Sequence, residues 1–253
     1  SPTLPSMLHG PPSVTPAVLE QDSPIRTCNS VSGLADPDVS HIAFSDFDHV
    51  YEMGEDTFLL MSVLDQHVHS IVGNRPKICF EIGSGTGIVS AHLSNLIKYH
   101  SDLNPVFYAT DVNSAAALIT SKTFRRNNVV GEVVLGDLVA PLETRLRGMV
   151  DVLLFNPPYV PSDDDELNKR DLTAAWAGGA NGTHVTDLLL PKVGDILSQN
   201  GVFFLVLIEK NFPDEICARM IQYGFKSESV AQKRVAGEIL RIVRFSRATP
   251  TCV

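Results

Sequence analysis

The order of its apolar segments constrains this chain most. From residue 77 onward, short apolar runs alternate with longer stretches whose apolar residues recur three or four positions apart. The first pattern fits a buried strand, the second a helix with one buried face. Strands are expected at 77–82, 106–110, 132–135, 150–155, 201–208, 225–230 and 239–245. Helices are expected at 55–69, 88–99, 113–127, 182–198 and 213–223, with Asn113 as an N-cap and Pro213 near a first turn. Such alternation implies an α/β fold: a mostly parallel seven-stranded sheet with helices on both faces. The last two strands lack a helix between them, which predicts an antiparallel edge strand.

Residues 1–43 are rich in Pro, Ser and Thr and lack apolar periodicity, so they read as a disordered or loosely draped arm. One domain is expected over 44–246, followed by a tail at 247–253. A hydrophobic content of 44% suffices for one substantial core. The net charge of -9 repels phosphate backbones unless basic residues gather in one place, and basic residues cluster only in short pairs such as Arg125-Arg126. Protein is therefore a more natural partner than nucleic acid. The four cysteines include no C-x-x-C pair and read as thiols of a reducing compartment, cytoplasm or also nucleus. The eight histidines suggest no metal pair, so no metal site is expected. No run approaches the roughly 18 apolar residues of a membrane span, and no secretory leader is visible.

In open parallel sheets, ligands bind beyond the carboxyl ends of the strands. After the first strand comes Glu81-Ile82-Gly83-Ser84-Gly85-Thr86-Gly87. Its glycines permit a tight turn and close ligand approach, and the next helix offers free N–H groups. Such a turn serves dinucleotides, nucleotides and S-adenosylmethionine alike. Asp111 follows the second strand, near the roughly 20-residue offset of a ribose-binding carboxylate, although it could simply cap the next helix. After the third strand, Asp137 and Leu138 could hold an adenine by its amino group and its ring. After the fourth comes Asn156-Pro157-Pro158-Tyr159, where two prolines fix the backbone and remove two donors. The Asn156 side-chain oxygen and the Pro157 carbonyl can converge on the N–H groups of an amide or aromatic amine, with Tyr159 as a stacking surface.

These segments resemble class I S-adenosyl-L-methionine-dependent methyltransferases that modify glutamine amides or adenine amines. The closer resemblance is to the eukaryotic HemK-like release-factor glutamine methyltransferases. Tyr51-Glu52-Met53-Gly54-Glu55-Asp56-Thr57-Phe58 is similar to that family's Tyr-Glu-Pro-x-Glu-Asp-Thr-Phe, with Met53 in place of proline. Ala174-Ala175-Trp176-Ala177-Gly178-Gly179-Ala180-Asn181-Gly182 is similar to its Ala-Ala-Trp-Ala-Gly-Gly-x-Asn-Gly. The likeness spans about residues 44–246. It implies a Rossmann-like fold, with Tyr51 and Thr57 over the cofactor and Glu81 and Gly83 beside its methionine part. Gly85 belongs to the same turn. Asp111 would face the ribose, Asp137 and Leu138 the adenine, and Asn156 both cofactor and substrate. The resemblance also implies a protein substrate: the glutamine of a Gly-Gly-Gln motif in a class-1 translation release factor, with a histone lysine or nucleic-acid adenine as alternatives. A small zinc-binding activator subunit would pair with the sheet edge, near Val133, Val134 and Leu135, forming a heterodimer; the arm could cover that edge instead. The acidic run Asp163-Asp164-Asp165-Glu166 reads as a solvated loop or an attractor for a basic substrate segment.

Overall fold

The computed structural model describes residues 33–161, 179 and 181–248. The acidic run at 163–166 and most of the Ala174–Gly182 segment lie outside the described residues, as do Cys28 and Cys252. The seven strands are β1 (Ile78–Ile82), β2 (Val106–Asp111), β3 (Gly131–Leu135), β4 (Val150–Phe155), β5 (Leu197–Ile208), β6 (Phe225–Val235) and β7 (Glu238–Arg247). They form one sheet in the order β3-β2-β1-β4-β5-β7-β6. Pairing is parallel from β3 to β5, while β7 runs antiparallel to both of its neighbours.

Among the described residues, five α-helices flank the sheet: α1 (Glu55–Gly73), α2 (Ile88–His100), α3 (Ser114–Arg126), α4 (His184–Ile196) and α5 (Pro213–Gln222). The central strands are apolar on both faces because both are covered. Cys79, Phe107, Ala109, Val152, Leu154, Phe204 and Val206 pack against α1, α2 and Phe124 of α3. Their neighbours in sequence, Phe80, Tyr108, Leu153, Phe155, Phe203 and Leu205, face α4 and α5 through Leu189, Val193, Ile196, Ile216 and Met220. Asn113 caps α3 as expected, its side chain accepting from the Ala115 N–H at 2.9 Å. Among the described residues, no helix is long and apolar enough to cross a membrane.

Residues 33–43, grouped with the arm on composition, lie against the body in the structure. Asp38 accepts from the Arg126 side chain at 3.0 Å, and its backbone exchanges bonds with the Asn127 amide. Val39 is buried and Ile42 packs on the core. Arg247, expected in the tail, is the last residue of β7, and its guanidinium donates to the Gly194 and Leu197 carbonyls. A few well-placed polar bonds hold both segments where apolar periodicity is absent.

Candidate active site

The turn after β1 is held open by glycine geometry. Gly83, Gly85 and Gly87 have φ values of 63°, 54° and 75°, the left-handed region that L side chains rarely enter. The N–H groups of Gly83 and Ser84 donate to the Thr110 carbonyl at the end of β2. Asp111 then closes the structure: its carboxylate accepts from Gly85 N at 2.9 Å and from Asn113 N at 2.9 Å. Burial raises the Asp111 carboxyl, opposed by N–H groups of Asn113, Gly85 and Val112. Gly136 N donates to the Asp111 carbonyl, so the third turn, carrying Asp137 and Leu138, sits beside the first two.

Glu81 is buried at the base of the turn. Its carboxylate accepts from both the N–H and the hydroxyl of Ser90 in α2. Burial pushes its pKa up to about 7 despite these bonds.

A second network forms around Asp56, in the first turn of α1. Asp56 is 2% exposed. Its Oδ1 accepts from Thr57 N at 2.8 Å. Its Oδ2 collects the Asn156 side-chain NH2 at 2.8 Å, the Tyr159 hydroxyl at 3.0 Å and the Tyr51 hydroxyl at 3.4 Å. Burial and the Asp56 charge raise the Tyr51 hydroxyl and hold the Tyr159 hydroxyl well above the ordinary phenol range. The opposite end of the Asn156 amide, Oδ1, is buried and accepts no hydrogen bond from the described residues. The segment that brings Tyr51 here is anchored by Val50, which packs on Ala116 and Ile119, and by the His49 carbonyl, which accepts from Asn113.

All twelve residues singled out from the sequence line one cavity of about 440 Å³: Tyr51, Thr57, Glu81, Gly83, Gly85, Asp111, Asp137, Leu138, Asn156, Pro157, Pro158 and Tyr159. That volume falls within the roughly 300–1,000 Å³ of small-molecule sites. Met53 also lines it, and packs on the core where the resembling motif has proline. Sequence reasoning passed over two polar residues. Asp56 was quoted in the motif without a task, yet it shares the i, i+4, i+8 face of α1 with buried Leu60 and Leu64. A carboxylate on a buried face must find donors. Asn211, also buried, donates to the carbonyls of Tyr159 and Asn181 at 2.9 and 3.0 Å, and so ties the turn after β4 to the start of α4.

Comparison with known proteins supplies a family. A model described as "Methyltransferase small domain" matches residues 51–175. Methyltransferase HEMK2 of Mus musculus is 39% identical over 212 residues, spanning 84% of this chain and 96% of that protein. The eRF1 methyltransferase catalytic subunit mtq2 of Schizosaccharomyces pombe is 31% identical over 224 residues, spanning 85% of this chain and 96% of that protein. The solved E. cuniculi Mtq2–Trm112 complex, responsible for methylation of the eRF1 translation termination factor, superposes with a TM-score of 0.57 at 27% identity. That match covers 79% of this chain and 99% of the solved one. With these relatives matched almost end to end, and with the turns that carry the motifs gathered at one cavity, the chain belongs to the HEMK2 and mtq2 family of methyltransferases.

Proposed function

We propose that this chain is the catalytic subunit that moves a methyl group from S-adenosyl-L-methionine to the glutamine amide nitrogen of the Gly-Gly-Gln motif in a class-1 translation release factor. The observation that carries this reading is Asn156 Oδ1, a buried acceptor of a cavity-lining residue with no donor among the described residues. Residues 44–246 are taken as one catalytic unit, working in the cytoplasm where release factors act.

The cavity suits the cofactor on its own chemistry. The Gly83–Gly87 turn offers bare backbone, and a Cβ built at Gly85 would meet nothing within 4 Å. Asp111 offers a carboxylate to a ribose diol, Asp137 and Leu138 an acceptor and an apolar contact to an adenine, and Glu81 a carboxylate to a cationic methionine part. Tyr51 and Thr57 close the cavity from the α1 side. When bound, the cofactor supplies a methyl carbon activated by positive sulfur. Everything else falls to the chain.

A glutamine amide nitrogen is a weak nucleophile because its lone pair is delocalised into the carbonyl. Asn156 Oδ1 and the Pro157 carbonyl would each accept one N–H and aim the nitrogen at the methyl group. Both oxygens also stabilise positive charge as it grows on that nitrogen. Pro158 keeps the turn rigid, and Tyr159 borders the acceptor amide. None of the described residues lining the cavity is Lys or Arg, which favours a protein over a nucleic acid substrate.

The activator subunit belongs at β3, the terminal strand, whose outer edge has no neighbour in the sheet. Leu135 there is 57% exposed, as an uncovered apolar edge awaiting a partner would be. The described part of the arm hydrogen-bonds to the C-terminal end of α3 instead.

The deciding experiment is labelled methyl transfer to a release factor, a histone peptide and an oligonucleotide, each with and without the activator. Label on the Gly-Gly-Gln glutamine, dependent on activator and abolished by Gln→Ala in the substrate, is the expected result. Label only on the histone peptide or the oligonucleotide would overturn the reading.

A further inference from the structure

We infer that Asp56 is the positioning residue that decides which end of the Asn156 amide faces the substrate. The inference rests on the glutamine-methylating reading above and adds to it a group that acts through another side chain, that of Asn156.

An asparagine amide is nearly symmetric in shape and opposite in chemistry at its two ends. Turned one way, Asn156 presents an acceptor to the cavity. Turned the other, it presents two donors, which would bind a carbonyl and repel the N–H groups of the substrate. Nothing in Asn156 itself favours one orientation. The Asp56 carboxylate does: Oδ2 lies 2.8 Å from the Asn156 nitrogen, and a carboxylate accepts only from the NH2 end. The orientation of Asp56 is fixed in turn by the Thr57 N–H on Oδ1 and by the two tyrosine hydroxyls on Oδ2. Gly54 leaves room for this arrangement, since a Cβ there would lie 2.8 Å from Asp56 Oδ1. The full negative charge on one end of the amide also polarises it, making Oδ1 a stronger acceptor just where positive charge must grow. The burial of Asp56 keeps that effect from being screened by water.

The chemistry predicts an unusual pattern in a swap of the pair. In D56N alone, an NH2 group must oppose either the Thr57 N–H or the Asn156 NH2, and the orientation of Asn156 is no longer specified. In N156D alone, two carboxylates face each other. In the D56N/N156D double variant, an NH2 from position 56 donates across the pair, its oxygen still accepts from Thr57, and an oxygen still faces the cavity.

The test measures kcat with the release factor and activator, cofactor Kd by calorimetry, and Tm, for the parent, D56N, N156D and the swap. Expected for D56N is a fall in kcat of about 10–100-fold, the scale of losing an orienting partner, with cofactor Kd held within about threefold. The swap should recover at least about tenfold in kcat over either single variant. If D56N alone does not fold, the comparison of N156D with the swap carries the test. Parental kcat in D56N, a parallel loss of cofactor affinity and kcat, or a swap no better than N156D would each overturn the role of Asp56. Absence of transfer by the parent chain would overturn the functional reading itself, so the two failures are distinguishable.

Discussion

Glu81 is a carboxyl group buried in the cavity wall. Its carboxyl has an ordinary pKa of 4.5, and burial moves it to about 7 in the folded protein. The folded state therefore binds the proton more tightly than the unfolded state. Stability contributed by this group is full below pH 4.5 and is lost as pH rises toward 7. Glu81→Gln removes the dependence. At pH 8 the variant should be more stable than the parent by up to about 3 kcal/mol, and near pH 4 the gain should vanish; urea denaturation at the two pH values checks this. A residue kept at such a cost suits a cationic ligand, which would favour the ionised form. Asp111 makes the complementary case. Asp111→Ala should weaken cofactor affinity first, by about tenfold or more if one charged hydrogen-bonding group is lost. Unchanged affinity in calorimetry would remove its ribose role. For Asn156→Ala, cofactor binding should stay largely intact while kcat falls about a hundredfold, and equal turnover would contradict the assignment. At this scale the sequence was legible wherever a residue followed a strand. Asp56 was not, because its importance comes from three side chains that converge on one oxygen, and two of them, Asn156 and Tyr159, lie far along the chain.

At the scale of elements, the turn after β4 and the start of α4 are fastened together by close backbone contact. Gly182 has φ of 69°, and a Cβ there would sit 2.1 Å from the Tyr159 carbonyl and 2.6 Å from the Asn211 side chain. Asn211 also accepts the Ile208 N–H at 2.8 Å, so one amide ties the end of β5 to the cavity rim. Asn211→Ala should cost about 1–3 kcal/mol, the scale of leaving buried polar groups unpaired, and should lower kcat by loosening the Asn156–Tyr159 turn. Denaturation and kinetics on the same preparation test both; the expected loss of stability with unchanged kcat would detach Asn211 from catalysis. Strand and helix existence was readable from periodicity, since covered sheets demand apolar runs. Lengths were less so. β6 was expected at 225–230 and extends to Val235, because its outer residues are mostly exposed and polar and its pairing slips between Ser229 and Ala231. β5 begins at Leu197, directly after α4, where the helical pattern and the strand pattern share apolar residues.

Over the whole molecule, the order of the strands was less readable than their number. Strand order depends on which helix crosses which face, and periodicity carries no record of that. The cavity could still be located, since ligand sites in such sheets follow the strand ends whatever the order. The arm was hidden because its attachment is polar, through Asp38, Arg126 and Asn127. On edge strand β3, Leu135→Asp should leave the fold within about 0.5 kcal/mol, as for an exposed site. It should weaken the activator complex by about tenfold, measurable by titration. Undiminished association would move the partner elsewhere.

β3 ends at Leu135, and the next residues, Gly136 to Leu138, form part of the cavity wall. One short strand thus has a free flank and an end inside the pocket. Any protein bonded along that flank acts on the same backbone that a ligand touches at its tip. Thermodynamic reciprocity then fixes the outcome: however much the bound subunit tightens the pocket, a filled pocket must tighten the subunit by the same factor.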